Sequence, residues 1–318
     1  MVQRGLDLLR EQVCQSALHN SKERAHLPRR HPGTRVQLIN DIMAWLDNVD
    51  DPHPILWMEG STGFGKSVIA EAIARLCYEE GRLLGAYFVT EVIAAHTGSA
   101  WDDEIKIPPT IAHQMEQNRR LGLSRIIGGV VEDNPLIFGL NLPTQVEKLV
   151  IEPLSLRSDE MANKVPPALI ILDGLGGFPN KSSQTQVVEA FSKAVLQAQH
   201  QIPVKLLITS RPAHGMHSIH IAPFVRTISL DNEYPAHADI RTFLIESIRD
   251  FRRTHSSSQM FTPEDEVDEL VKQSRGRFAY AASIVTYSQR VSIVINGEFV
   301  FSTVWCGMGG FFFFFLKN

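Results

Sequence analysis

Three shortages in the sequence narrow its function before any motif is read. Only three cysteines occur in 318 residues, Cys14, Cys77 and Cys306, and they are too far apart for a zinc-ligand or CxxC spacing. That excludes a disulfide framework and fits a reducing compartment. There is no charge excess: 31 Lys and Arg against 35 Asp and Glu leave −4, so nothing in bulk draws the chain to nucleic acid or an anionic membrane. Long apolar runs are missing until the C-terminal end. The opening "MVQRGLDLLREQ" alternates charge with apolar residues and has no signal-peptide core. No internal repeat is visible. The expected location is the cytoplasm, and the length suffices for one large α/β domain with an appendage.

What is present is an alternation of strand and helix signals. Leu6–Leu18 has weak helical spacing, and the basic segment "SKERAHLPRRHPGTR" reads as a linker or loop. From Arg35 to Leu46 apolar residues recur at helical spacing. "ILWME" reads as a buried strand and "GAYFVT" as a second one, while "ALIILD" and "VKLLITS" are short, nearly continuous apolar runs of the kind a parallel sheet buries on both faces. Between them Lys66–Tyr78, Ile107–Asp133, Pro143–Leu154 and the stretch around Val187–Leu196 read as helices. After "TISL" (Thr227–Leu230) the strands are expected to stop, and Ala238–Phe251, Pro263–Gln273 and Phe278–Tyr287 read as helical. The fold class expected is α/β: a mainly parallel sheet flanked by helices, with a small helical C-terminal subdomain.

Within "EGSTGFGKSVIA", Gly60, Gly65, Lys66 and Ser67 satisfy G-x-x-x-x-G-K-S/T, the P-loop pattern. Glycines let the backbone wrap so that its N–H groups face the β-phosphate, lysine neutralises the outer phosphate oxygens, and the hydroxyl of Ser67 ligates Mg²⁺. The helix opening near Lys66 adds the positive end of its dipole. The loop sits between an apolar strand and an amphipathic helix, as the motif requires. Gly60, Ser61, Thr62, Gly63, Phe64, Gly65, Lys66, Ser67 and Val68 are therefore the expected phosphate-binding residues of a site for ATP or GTP with Mg²⁺.

A P-loop site needs a second acid for the metal, and "LIILD" ends a strand on Asp173. Ser67 and Asp173 form the expected Mg²⁺ pair. Hydrolysis also needs a group that activates water, usually a carboxylate just beyond that aspartate. This chain has Gly174, Leu175, Gly176 and Gly177 there. Glycine cannot act as a base.

"HPGTRVQLINDIMAWLD", the P-loop stretch, "ALIILDGLGGF", "LLITSRP" and "GRFAYAAS" occur in an order that resembles the NACHT-type P-loop domain of fungal STAND signalling proteins. The nephrocystin-like N-terminal NTPase domain is a close relative of that group. The resemblance covers roughly Leu27–Tyr287. It implies a nucleotide-dependent switch in signal transduction, cut off before its sensor repeats, which self-associates or meets signalling partners through regions absent from this chain. In that family the strand ends D-x-x-D-E, so Gly176 and Gly177 stand where the second Asp and the Glu belong, and the expectation is binding with impaired hydrolysis. An active NTPase with an unconventional base and a degenerate, inactive fragment are the alternatives.

The resemblance also makes Arg211 of "LLITSRP" a sensor of the γ-phosphate, although an ordinary strand exit stopped by Pro212 would look the same. It makes Thr34 and Arg35 contacts to the base or ribose. The cluster Lys22, Arg24, Arg29, Arg30 and Arg35 lacks interleaved aromatics and reads as a solvated linker, so no nucleic acid is expected. His214, His217 and His220 are spaced for metal only in a helix, which Pro212 and Pro223 argue against. The domain boundaries expected are an N-terminal helix and basic linker over 1–34, the P-loop core over 35–231, a helical subdomain over 232–290 and an atypical apolar tail over 291–318. From Phe299 to Leu316 the tail carries no charge. A translated intron, a C-terminal membrane anchor and an ordinary apolar terminus all remain open readings of it, and no membrane is expected unless it is an anchor.

Overall fold

The computed structural model describes residues 2–89, 104–156, 167–178, 180–199, 203–212, 222–255, 264–290, 294–295 and 298–299. The chain divides into two compact units. The first comprises Met1–Arg30, Gln37–Ser61 and Lys66–Glu233; the second comprises His31–Val36, Thr62–Gly65 and Tyr234–Asn318.

The first unit is built on a five-stranded sheet of β1 (Ile55–Glu59), β2 (Leu83–Phe88), β3 (Ala168–Asp173), β4 (Val204–Ser210) and β5 (Val225–Ser229). The order is β2-β3-β4-β1-β5 and every pairing is parallel. Strands β2, β3 and β4 are buried along their whole length, which is why they read as continuous apolar runs rather than as alternation. The edge strand β5 keeps Arg226 and Thr227 exposed, so its sequence signal is weaker. Helices α1 (Val2–Glu11), α3 (Lys66–Glu79), α4 (Ile107–Gln117), α5 (Ser124–Asp133), α6 (Leu142–Val146), a π-helical turn (Glu147–Ile151), α7 (Glu152–Ser155) and α8 (Lys181–Ala198) complete the unit, with most of α2 (Val36–Asp47). An α/β fold with a parallel sheet flanked by helices is what the sequence led us to expect.

Some local readings differ. The stretch read as one helix from Ile107 to Asp133 is two, α4 and α5. The chain reverses between them at Gly122, which adopts φ +66°, and the Asn118 side chain donates to the carbonyls of Gly81 and Leu83. The N-terminal helix ends at Glu11, and only a short 3₁₀ turn, Gln15–Ala17, follows it.

Lys205 interrupts the apolar run of β4, yet it is buried. Its ammonium donates to the backbone carbonyls of Trp45 (2.6 Å) and Asn48 (2.6 Å), at the C-terminal end of α2, where the last carbonyls of a helix lack intrahelical partners. We expect Lys205→Met to lower the free energy of unfolding by about 1.5–3 kcal/mol in urea titrations, since it leaves those carbonyls without their charged donor.

The second unit holds α9 (His237–His255), α10 (Glu264–Ser274) and α11 (Phe278–Arg290) around Ala236, Ile240, Leu244, Val267, Val271 and Ala281. Beyond them the strands do not stop entirely: Val294–Ile295 pairs antiparallel with Glu298–Phe299 as β6 and β7. Both carry β-branched or aromatic residues, a strand signal that the reading of 291–318 as an atypical apolar tail passed over. The rest of the apolar tail lies outside the described residues. Among the described residues no helix is long and apolar enough to cross a membrane.

Candidate functional site

All five strands run in one direction, so the carboxyl ends of β1, β3 and β4 lie along one edge of the sheet. That edge is where open α/β sheets place their ligands. The chain leaves β1 at Gly60, whose N–H donates to the Ser210 carbonyl at 3.3 Å, and re-enters the unit at Lys66, the first residue of α3. Ser61 is held at the mouth of the loop by Asp231: its N–H lies 3.1 Å from both carboxylate oxygens, and its hydroxyl donates to Oδ2 at 2.8 Å. The sequence reading missed Asp231. Its only signal was an acid just past "TISL", the position Asp173 occupies after "LIIL".

Lys66 donates through Nζ to the carbonyls of Gly60 and Ser61 (3.0 Å). Burial lowers its pKa; Asp173 and Asp231 oppose that shift, and Arg211 adds to it. Arg211 itself is exposed at the exit of β4. Asp173 is 1% exposed and accepts hydrogen bonds from the hydroxyls of Thr209 (2.5 Å) and Ser67. Desolvation nevertheless raises its pKa, against those two bonds and the charges of Arg24 and Lys66. Thr209 also accepts from the Gly174 N–H at 3.2 Å, so the end of β4 is tied to the end of β3 by its threonine.

The first unit thus brings together Gly60, Ser61, Lys66, Ser67, Asp173 and Arg211. Val68 is half-buried in the first turn of α3. Of the remaining loop residues, Thr62 to Gly65 belong to the second unit. Gly63 and Gly65 adopt φ +91° and +93°, a conformation open to glycine and strained for any other residue. Within that unit the Gly63 carbonyl accepts the Ala279 N–H at 3.1 Å. The Phe64 carbonyl accepts from Arg35 at 3.3 Å. Arg35 is 5% exposed, donates also to the Tyr234 carbonyl (2.7 Å), and its backbone N–H donates to Asp239 Oδ2 (3.1 Å). Thr34 is buried and donates its hydroxyl to the His31 carbonyl at 2.7 Å.

Beyond Asp173 the backbone turns left-handed at Gly174 (φ +79°) and forms a 3₁₀ turn, Leu175–Gly177. A Cβ at Gly176 would meet nothing within 4 Å, whereas one at Gly177 would lie 3.0 Å from Val89 Cγ1.

The donor set suits a magnesium-bound nucleotide. A desolvated lysine faces a buried carboxylate bonded to a serine hydroxyl: the cation is matched to phosphate oxygens, and the two oxygen donors to a hard divalent metal. No cluster of three or more metal-ligating side chains occurs among the described residues, and the three histidines past Arg211 lie outside them.

Burial of Asp173 has a testable consequence. Because its pKa is raised in the fold, the native state holds a proton the unfolded chain has already released. Stability is therefore complete below the unfolded carboxylate range and falls as pH rises through the folded value. Asp173→Asn should melt higher than the wild type at pH 7 and close to it at pH 3, while losing the Mg²⁺-dependent part of nucleotide affinity.

Residues 33–211 match the family described as Nephrocystin 3, N-terminal, over more than half the chain. No curated protein sequence matches. Among solved structures, a Walker-type ATPase of Pyrococcus abyssi superposes with a TM-score of 0.52 at 13% identity, covering 84% of this chain and 71% of that one. PCH-2 of C. elegans (TM-score 0.45, 12% identity, 82% and 65% covered) and Cdc6p of Pyrobaculum aerophilum (0.45, 14%, 84% and 64%) are more distant in shape. The chain thus spans 65% of the length of the PCH-2 chain. The Pyrococcus structure supports the fold. The family match supports membership: this chain belongs to the nephrocystin 3 N-terminal family.

Proposed function

We propose that this member of the nephrocystin 3 N-terminal family is the nucleotide-binding switch module of a NACHT/STAND signalling protein, which takes ATP or GTP with Mg²⁺ and hydrolyses it poorly. The observation that carries the reading is the Lys66–Ser67–Asp173 group at the carboxyl edge of the sheet. Lys66 supplies charge to the outer phosphates, Ser67 and Asp173 take the metal, and Asp231 fixes Ser61 so that the loop amides stay oriented. Arg35 acts on the same loop through the Phe64 carbonyl, and Arg211 stands at the β4 exit as the candidate γ-phosphate sensor. Impaired hydrolysis follows from the turn after Asp173, where Gly176 and Gly177 offer no side chain to activate water.

Cytoplasmic location, and assembly or signalling through regions outside this chain, belong to the same reading. The test is calorimetric titration with ATP, ADP and GTP in Mg²⁺, then single-turnover hydrolysis on the same preparation. Binding without turnover is expected. Binding with turnover would point instead to an NTPase with an unconventional base, and a folded protein that binds nothing would sink the nucleotide reading altogether.

A further inference from the structure

The basic segment after α1 is not wholly the solvated linker its composition suggests. Its 3₁₀ turn, Glu23–His26, lays the Arg24 guanidinium over the Phe88 ring, with Cζ 3.9 Å from the centroid. Phe88 ends β2 and pairs in register with Asp173, which ends β3. In-register residues of a parallel pair project from the same face, so the arginine stacked on Phe88 shares a face with the buried carboxylate. The two charges feel one another, and Glu71, one turn along α3 from Ser67, is a second acid in range. Yet Arg24 Nε is buried without a hydrogen-bond partner among the described residues. Neither neighbouring acid takes it. A guanidinium fixed by stacking, with a buried donor unused, at the strand ends where the metal acid sits, is a donor in need of an oxygen acceptor.

We propose that Arg24 is a cis-acting arginine that contacts the terminal phosphate of a bound nucleoside triphosphate and so makes the site prefer triphosphate over diphosphate. The inference rests on the nucleotide-binding reading of the site. Ser67 and Asp173 mark the metal position, and in P-loop sites the metal bridges the β and γ oxygens. A cation beyond Asp173 on the same face therefore meets the outermost phosphate, and it contributes nothing to a nucleotide that lacks one. Stacking on Phe88 holds the planar fork ready, so little side-chain freedom is lost on binding. Because Arg24 lies in the segment that follows α1, the preference would also tie the N-terminal segment to the state of the nucleotide.

The test is titration of the full chain with Mg²⁺ and either a non-hydrolysable ATP or GTP analogue or the matching diphosphate, comparing wild type, Arg24→Met, Arg24→Lys and Lys66→Ala. Methionine keeps an apolar stem against Phe88, and thermal melts check that each variant folds. Arg24→Met should weaken the triphosphate by about 10- to 100-fold and leave the diphosphate within about threefold, with Arg24→Lys in between, because an ammonium keeps the charge but loses the fork. Equal losses for both nucleotides, or none, would make Arg24 a structural brace and overturn the proposal, while loss of both ligands in Lys66→Ala would leave the nucleotide reading standing. If the folded wild type binds none of these nucleotides, both fall together.

Discussion

Lys66→Ala should lose nucleotide affinity by about 100-fold or more, for triphosphate and diphosphate alike. Each charged hydrogen bond from an ammonium to phosphate contributes roughly 1.5–3 kcal/mol, and at 1.4 kcal/mol per decade one such bond alone accounts for about one to two decades. A second loss adds to it. Lys66 is among the charges that hold the pKa of Asp173 down against its burial, so alanine there moves the carboxylate further toward its neutral form and weakens the metal site. The fold should suffer little: burial lowers the lysine's own pKa, and only two carbonyls, of buried Gly60 and half-buried Ser61, lose a donor. Calorimetry beside a thermal melt separates the two effects. Affinity within about threefold of wild type in a folded Lys66→Ala protein would rule the site out.

The second large effect is a gain. If hydrolysis is slow because no side chain activates water, then placing a carboxylate after Asp173 should raise single-turnover hydrolysis by about 10²-fold or more, the usual contribution of a positioned general base. The geometry says how to build it. Glutamate at Gly177 puts a Cβ 3.0 Å from Val89 Cγ1, so Gly177→Glu needs Val89→Ala beside it; Gly176→Asp enters open space and should fold without compensation. Phosphate release under single-turnover conditions reads the outcome, with Gly176→Asp as the folding control. An unchanged rate in a folded, nucleotide-binding Gly177→Glu/Val89→Ala protein would mean that the absent acid is not what limits turnover. Wild-type turnover at ordinary enzymatic rates would mean that another base is already present.

Much of the site was legible in the sequence because its chemistry is local. A P-loop is a contiguous turn whose glycines, lysine and serine must sit at fixed spacing, and Asp173 announces itself by ending an apolar strand. The strands could be read for a related reason: a sheet covered on both faces leaves continuous apolar runs, and only the edge strand β5, half-solvated, gave a fainter signal. Where helices break was less legible, because the break at Gly122 depends on a positive φ and on carbonyls that Asn118 finds on a distant strand end.

Residue types at fixed spacing were enough, by themselves, to determine an α/β fold with a P-loop turn, and to nominate Asp173 as the metal acid and Gly176 and Gly177 as the gap where a water-activating side chain would stand. Only the tertiary structure decided which charges face one another across the chain: that Asp231 clamps Ser61, that Lys205 closes the end of α2, and that Arg35 holds the Phe64 carbonyl. It alone placed Arg24 on Phe88 beside Asp173, 149 positions further along. The reason is physical. A backbone motif is specified by neighbours in sequence, whereas the partner of a buried charge is set by sheet order and register, which no local pattern encodes.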